Sequence, residues 1–149
     1  MTAGEYCNRE VVITEQDTSV TKAAMLMREF HVGSLVVVQQ QDNLNIPVGI
    51  VSDRDLIIEV IAQQVPVESV TLNDVMSRNL VSVGEQETLI DTLQLMLKRG
   101  VRRVLVVDGQ GSLQGLLTAD DAIELMAESM SDLAKVVSQE LKQEVNKRP

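Results

Sequence analysis

A chain of 149 residues can bury roughly two-thirds of its unfolded surface in one compact core. Apolar residues make up 44% but aromatic residues only 1%, with one Tyr, one Phe and no Trp, so that core must be aliphatic, with Met25, Met27 and Met96 among its gap-fillers. Thirteen basic against 22 acidic residues give a net charge of −9, which opposes binding to a phosphate backbone and excludes nucleic acid as an expected partner. The apolar runs are far shorter than a membrane span, Met1-Thr2-Ala3-Gly4-Glu5 lacks a basic region followed by an apolar one, and Cys7 is alone. A cytoplasmic protein without membrane contact, intramolecular disulfide or thiolate metal cluster is therefore expected.

In chain order, Val11-Val12-Ile13-Thr14 reads as a short strand. Asp17 or Thr18 can cap a helix whose apolar positions Val20, Ala23, Ala24, Met27 and Phe30 follow helical spacing, and His31 closes it. Leu35 to Val38 is an apolar, β-branched run suited to a strand buried on both faces. Gln39 to Asn45 is polar, Pro47 marks the return, and Val48 to Val51 is the partner strand of a hairpin. Ser52 starts a helix through Leu56, Ile57, Val60 and Ile61. The join that follows holds Pro66 and a short helix, Thr71 to Met76, in which Thr71 and Asp74 have capping-box spacing.

The same order then returns. Met27 recurs as Met96 and Leu35-Val36-Val37-Val38 as Val104-Leu105-Val106-Val107, both at a spacing of 69. Gly49-Ile50-Val51-Ser52-Asp53-Arg54-Asp55 recurs as Gly115-Leu116-Leu117-Thr118-Ala119-Asp120-Asp121 at a spacing of 66, so the second hairpin is shorter by three residues. Glu87 or Thr88 opens the first helix of this copy and Thr118 the second. Beyond it, Met130, Leu133, Val136, Val137 and Leu141 form an apolar stripe on a polar helix running toward Lys147, suited to packing on its own module or a dimer mate. One copy of about fifty residues is near the lower limit for a core of its own, whereas two copies facing each other share one and enclose related clefts. The fold expected is α/β (α+β), two β-α-β-β-α repeats in pseudo-twofold array plus a C-terminal helix. Its boundaries are expected at 8–66, 67–79 for the connecting segment, 80–128, and 129–149 for the tail.

Ser52 with Asp55, and Thr118 with Asp121, each stand where a strand ends and a helix begins. A hydroxyl there caps the helix, an anion is favoured by the unpaired N–H groups, and an ionised Asp one turn in offers two oxygens to the two hydroxyls of a ribose. The same Ser/Thr-x-x-Asp spacing also serves as a plain capping box. Its appearance in both copies, after a Gly and two aliphatic residues, raises the weight of the binding reading beside that of the plain cap.

Those two segments, each preceded by the Ala- and Met-bearing helix and the aliphatic strand, resemble the signature of tandem cystathionine-beta-synthase (CBS) domains, the Bateman module, over about residues 8 to 128. The resemblance implies repeats packed through their sheets, pairing of modules into a flat homodimer, and binding of an adenosine-containing ligand such as AMP, ADP, ATP, NAD or S-adenosylmethionine. By the same resemblance, Asp55 and Asp121 hold ribose hydroxyls, with Ser52 and Thr118 near ribose or phosphate. Val12, Val32, Ile50, Val101 and Leu116 are the implied adenine walls, and backbone groups near Thr14 and Ser34 read the adenine edge. Arg102-Arg103 is the implied phosphate grip, whereas the first copy has Gly33-Ser34 at that place, a departure that sets the two copies apart. Arg54 is a weaker phosphate candidate, and His31 reads first as a helix-terminal residue favoured by the dipole.

Catalysis finds no support, since one His, one Cys and no phosphate-cradling Gly-rich loop leave no nucleophile with an orienting base. Adjacent Asp120 and Asp121 diverge on a helix and make a poor metal chelate; Mg2+ is expected only alongside a polyphosphate. The function expected is a regulatory adenine-nucleotide sensor that acts on a protein partner in trans through dimer geometry. The alternative is a ligand-free dimerisation scaffold that uses the fold or its C-terminal helix to hold another protein.

Overall fold

The computed structural model describes residues 1–148 and divides the chain into two compact units, Met1–Leu117 and a helical unit from Thr118 onward. The first copy begins with helix α1 (Ala3–Tyr6), strand β1 (Ile13–Thr14) and helix α2 (Val20–Phe30), followed by strands β2 (Ser34–Gln41) and β3 (Leu44–Ser52). Helix α3 (Asp53–Leu56) then widens into a π-helical turn, Ile57–Ile61, and a 3-10 turn, Val67–Ser69, leads on to the second copy. That copy comprises α4 (Leu72–Val75), β4 (Ser82–Gly84), α5 (Leu89–Arg99), β5 (Arg103–Val107), β6 (Leu113–Thr118) and α6 (Ala119–Lys147). Each copy makes a three-stranded sheet, β1-β2-β3 and β4-β5-β6, whose first two strands run parallel.

Several local details depart from the sequence expectation. Ser19, not Asp17 or Thr18, caps α2, its hydroxyl accepting from the Lys22 N–H at 3.0 Å, because Thr18 Oγ1 is engaged with Thr14 Oγ1 at 2.6 Å. The first strand is shorter than expected, beginning at Ile13, although Val12 still accepts from the Val36 N–H through its carbonyl. The polar stretch Gln39–Asn45 is mostly strand. Only Asp42 and Asn43 turn, at φ 51° and 64°, the two-residue hairpin geometry that Asx residues tolerate. Pro47 is accommodated on edge strand β3, just past an irregularity in register between Val37 and Val38. Met25 is exposed rather than a core residue, while Met27 and Met96 are buried. The second-copy helix and the tail stripe lie on one uninterrupted helix, α6.

Strand β2 is buried on both faces, as its composition requires. Leu35 and Val37 face a first-copy core with Val20, Ala23, Met27, Val51, Leu56 and Val60, closed by Leu72 of α4 and by Met76, which caps its C-terminus. Val36 and Val38 face the other way and meet Leu105 of β5, with Val11, Ile50, Leu80, Leu113 and Leu116 around them. The two sheets are thus joined mainly through aliphatic side chains, with one polar contact at the margin, where the Asn45 N–H donates to Ser112 Oγ at 3.2 Å.

The leading segments are exchanged between copies. Helix α1 docks on the second copy, where the Gly4 N–H donates to Glu85 O at 2.9 Å and the Ala3 N–H to Glu87 O at 2.8 Å, and Asn8 bridges Leu116. Helix α4 docks on the first copy by the same bonds 69 residues on: the Asn73 N–H donates to Gln16 O at 2.9 Å, the Leu72 N–H to Thr18 O at 2.9 Å, and Ser77 bridges Ile50. At each crossing a glycine admits the visitor. A Cβ on Gly115 would stand 2.5 Å from Cys7 Sγ and 2.8 Å from Asn8 O, and one on Gly49 would collide with Met76 Sδ. Arg9 adds an ion pair to Glu85 at 3.0 Å. Burial raises the pKa of the Cys7 thiol, Arg9 partly opposing the rise.

Three outcomes follow from this packing. Gly115→Ala should lower stability in a denaturant titration by about 1–3 kcal/mol, because the clash includes backbone, and Gly49→Ala by less, because the Met76 side chain can turn aside. His31 caps α2 at φ 53°, where the second copy uses Gly100 at φ 65°, so His31→Gly should raise stability by up to about 1 kcal/mol, measured the same way. With its pKa raised, Cys7 holds less thiolate at pH 8 than a free cysteine, and its alkylation by iodoacetamide should be slower in the folded than in the urea-unfolded chain.

Candidate functional site

Ser52 ends β3 in extended backbone, φ −106° and ψ 163°, and caps α3. The cap is reciprocal: the Asp55 N–H donates to Ser52 Oγ at 3.1 Å, and the Ser52 N–H donates to Asp55 Oδ2 at 2.8 Å. The capping-box reading is therefore realised, yet it occupies only one carboxylate oxygen; Asp55 Oδ1 has no hydrogen-bond partner among the described residues. Asp55 is half-buried and its orientation is fixed by the cap, so Oδ1 is a prearranged acceptor.

The reciprocal docking brings second-copy residues to this acceptor. A cleft of about 300 Å3 is lined by Ile50, Ser52 and Asp55 from the first copy, by Ser77, Asn79 and Leu80 after α4, and by Val101 and Arg102 from the turn between α5 and β5 with Arg103 at the start of β5. Its volume lies at the small end of the range for small-molecule sites. Ile50, Leu80 and Val101 give it apolar walls. Ser52, Asp55, Ser77 and Asn79 supply donors and acceptors, and Arg102 and Arg103 bring two guanidinium groups to the lining. An apolar ring, a polyol and an anionic group can all be held there by complementary chemistry.

Of the expected site residues, Ile50, Ser52, Asp55, Val101, Arg102 and Arg103 meet in this cleft, so the arginines share it with the Ser/Asp element of the other copy. Ser77, Asn79 and Leu80 were not foreseen. They sit 69 residues after Asn8, Glu10 and Val11, and that correspondence is the signal that could have found them. Arg54 is exposed and lies outside the lining. Thr14 is buried on β1 against Thr18, Val12 and Val32 pack on the first-copy core, Ser34 begins β2, and Leu116 packs between the sheets. In the helical unit, Thr118 caps α6, accepting from the Asp121 N–H at 3.1 Å. By the repeat's spacing, Gly33 and Ser34 correspond to Arg102 and Arg103, and Glu10 to Asn79, so the cationic residues belong to one copy only.

Two larger hollows have the opposite electrostatics. One, about 480 Å3, runs along Gly84–Thr88 and Val107–Gly109 with Glu85, Glu87 and Asp108, and its counterpart, about 380 Å3, holds Glu15 and Asp17. Only carboxylates carry charge in their walls, which disfavours an anion. No cluster of metal-ligating side chains occurs among the described residues, and no described helix is long and apolar enough to cross a membrane.

The CBS domain family matches residues 3–62 and 72–128. An uncharacterized protein of Methanopyrus kandleri is 32% identical over 125 residues; the match covers 84% of this chain and 62% of that one, so the chain spans under two-thirds of this relative's length. Among solved structures, an uncharacterized conserved protein from Pyrococcus horikoshii superposes with a TM-score of 0.72 at 29% identity, covering 84% of this chain and 91% of that one. A structure of CBSX2 in complex with AMP superposes with a TM-score of 0.70 at 28% identity, covering 87% and 98%. With two copies of the fold matched across most of its length, the chain belongs to the CBS-domain family as a tandem CBS pair.

Proposed function

We propose that this CBS pair is a regulatory, non-catalytic module that binds an adenine nucleotide in the cleft between Asp55 and Arg103. The observation that carries this reading is the meeting, in one cleft, of the fixed Asp55 carboxylate of the first copy with the Arg102-Arg103 pair of the second. Asp55 Oδ1 accepts from the ribose hydroxyls, Ile50, Leu80 and Val101 enclose the adenine, and the guanidinium groups hold phosphate. The AMP complex of CBSX2, 28% identical, supports the ligand class.

A ligand that contacts both copies favours the arrangement of repeats in which both sets of contacts are made, and that preference is what a sensor transmits. Exposed Met25, Ile57 and Ile61 in the first copy and Ile90 and Leu97 in the second form the apolar surface through which a homodimer is proposed to form and a partner to read the change. Regulation of a separate protein in the cytoplasm completes the reading.

Calorimetry and thermal shift with AMP, ADP, ATP, NAD and S-adenosylmethionine, and guanosine nucleotides as controls, test it. Saturation at a hundred times Kd should stabilise the protein by about 2.7 kcal/mol. Asp55→Asn, which keeps an acceptor for the cap, and Arg103→Ala should each weaken binding about 10- to 100-fold, the loss of a charge-assisted hydrogen bond. The effect of Asp55→Asn should vanish for a 2′,3′-dideoxy ligand, and that of Arg103→Ala for adenosine. Unchanged affinity in both variants would remove the site, and silence from the whole panel on folded, ligand-free protein would favour the scaffold.

A further inference from the structure

Helix α6 runs 29 residues, about 43 Å at 1.5 Å per residue, and its distal half presents a continuous apolar face. Met130, Leu133, Val137, Leu141 and Val145 are 66%, 58%, 55%, 59% and 65% exposed. Their spacings of three and four residues keep them on one side, while Asp132, Lys135 and Lys142 occupy the other. A stripe of this length in contact with water marks an interaction surface.

Two properties of the stripe specify what covers it. First, it is close to palindromic about Val137: Leu133 and Leu141 lie four residues to either side, and Met130 and Val145 seven and eight. Second, the helix is electrically polar. Its upstream part holds Asp120, Asp121, Glu124, Glu128 and Asp132 with no basic residue, whereas from Lys135 onward Lys135, Lys142, Lys147 and Arg148 outnumber Glu140 and Glu144. That downstream part is a positive island in a chain of net charge −9. A twofold axis at Val137 sets Leu133 of one helix against Leu141 of the other and Met130 within one residue of Val145, and it brings Lys142 and Lys147 level, to within one residue, with Asp132 and Glu128 of the other helix. Parallel pairing would set Glu128 and Asp132 level with their own copies and run both macrodipoles in the same direction. Glu144, which shares the apolar face, is 4.0 Å from Arg148 of its own helix.

We infer that the distal part of α6 pairs antiparallel with α6 of a second copy of this chain, with Val137 at the twofold axis. None of these residues lines the nucleotide cleft, so the inference stands or falls independently of the ligand.

Single-cysteine versions of the full chain in a Cys7→Ser background, oxidised with diamide and read on a non-reducing gel, test it. Antiparallel pairing places Val137→Cys against its own copy but holds two copies of Met130→Cys about 20 Å apart, beyond the reach of a disulfide, so the former should cross-link at least ~10-fold faster. A mixture of Met130→Cys and Val145→Cys should yield the mixed dimer. Adding Leu133→Glu and Leu141→Glu to Val137→Cys should abolish the cross-link while far-UV circular dichroism keeps the helical signal. Cross-linking of Met130→Cys to itself as fast as Val137→Cys would overturn the inference, as would a Val137→Cys chain that stays uncross-linked, whether because the stripe folds back, holds another protein, or the dimer forms through another face.

Discussion

Each repeat is completed by a segment that precedes the other. Helix α1 and the residues up to Asn8 lie on the second sheet, and α4 through Ser77 lies on the first, by matching backbone bonds and against matching glycines. Because backbone hydrogen bonds and a close glycine contact fix both docking events, the copies have little freedom to slide past one another. The aliphatic layer of Val36, Val38 and Leu105 can therefore close with no polar group inside it to set its register. Hydrophobic burial supplies driving force but no direction, and the exchanged segments supply the direction.

The composition of the cleft is a consequence of that exchange. Ser77, Asn79 and Leu80 reach Ser52 and Asp55 only because α4 crosses to the first copy, and Arg102 and Arg103 approach from the second. The absence of arginine at Gly33-Ser34 gives the pseudo-symmetric pair a chemical polarity that the backbone lacks.

The duplication, the aliphatic strands, the Ser52 and Thr118 caps and the Thr71–Asp74 box were legible in the sequence because each rests on local spacing. Where the sequence reading departed from the structure, tertiary contacts decided. Thr18 was unavailable as a cap because it had paired with Thr14. The polar run Gln39–Gln41 became strand because its backbone pairs with Leu44–Ile46 whatever its side chains prefer. The most informative feature missed was that Thr2 to Arg9 repeats as Thr71 to Arg78, a match obscured by the substitutions Cys7/Met76 and Gly4/Asn73. Without it the arginines appear to serve their own copy, whereas the crossing places them opposite Asp55.

The exchange also changes what counts as a half of this molecule. Cutting the chain in the turn between Pro66 and Val70 separates it at the visible seam of the repeat, yet each fragment leaves with the other's missing piece. The sequence unit and the folding unit are offset by one short helix. Two identical single-repeat ancestors could have satisfied the same geometry only by trading their first turns. Joining two such repeats in one chain makes that trade intramolecular, and the effective concentration gained lets Gly33-Ser34 and Arg102-Arg103 differ in charge without loss of assembly.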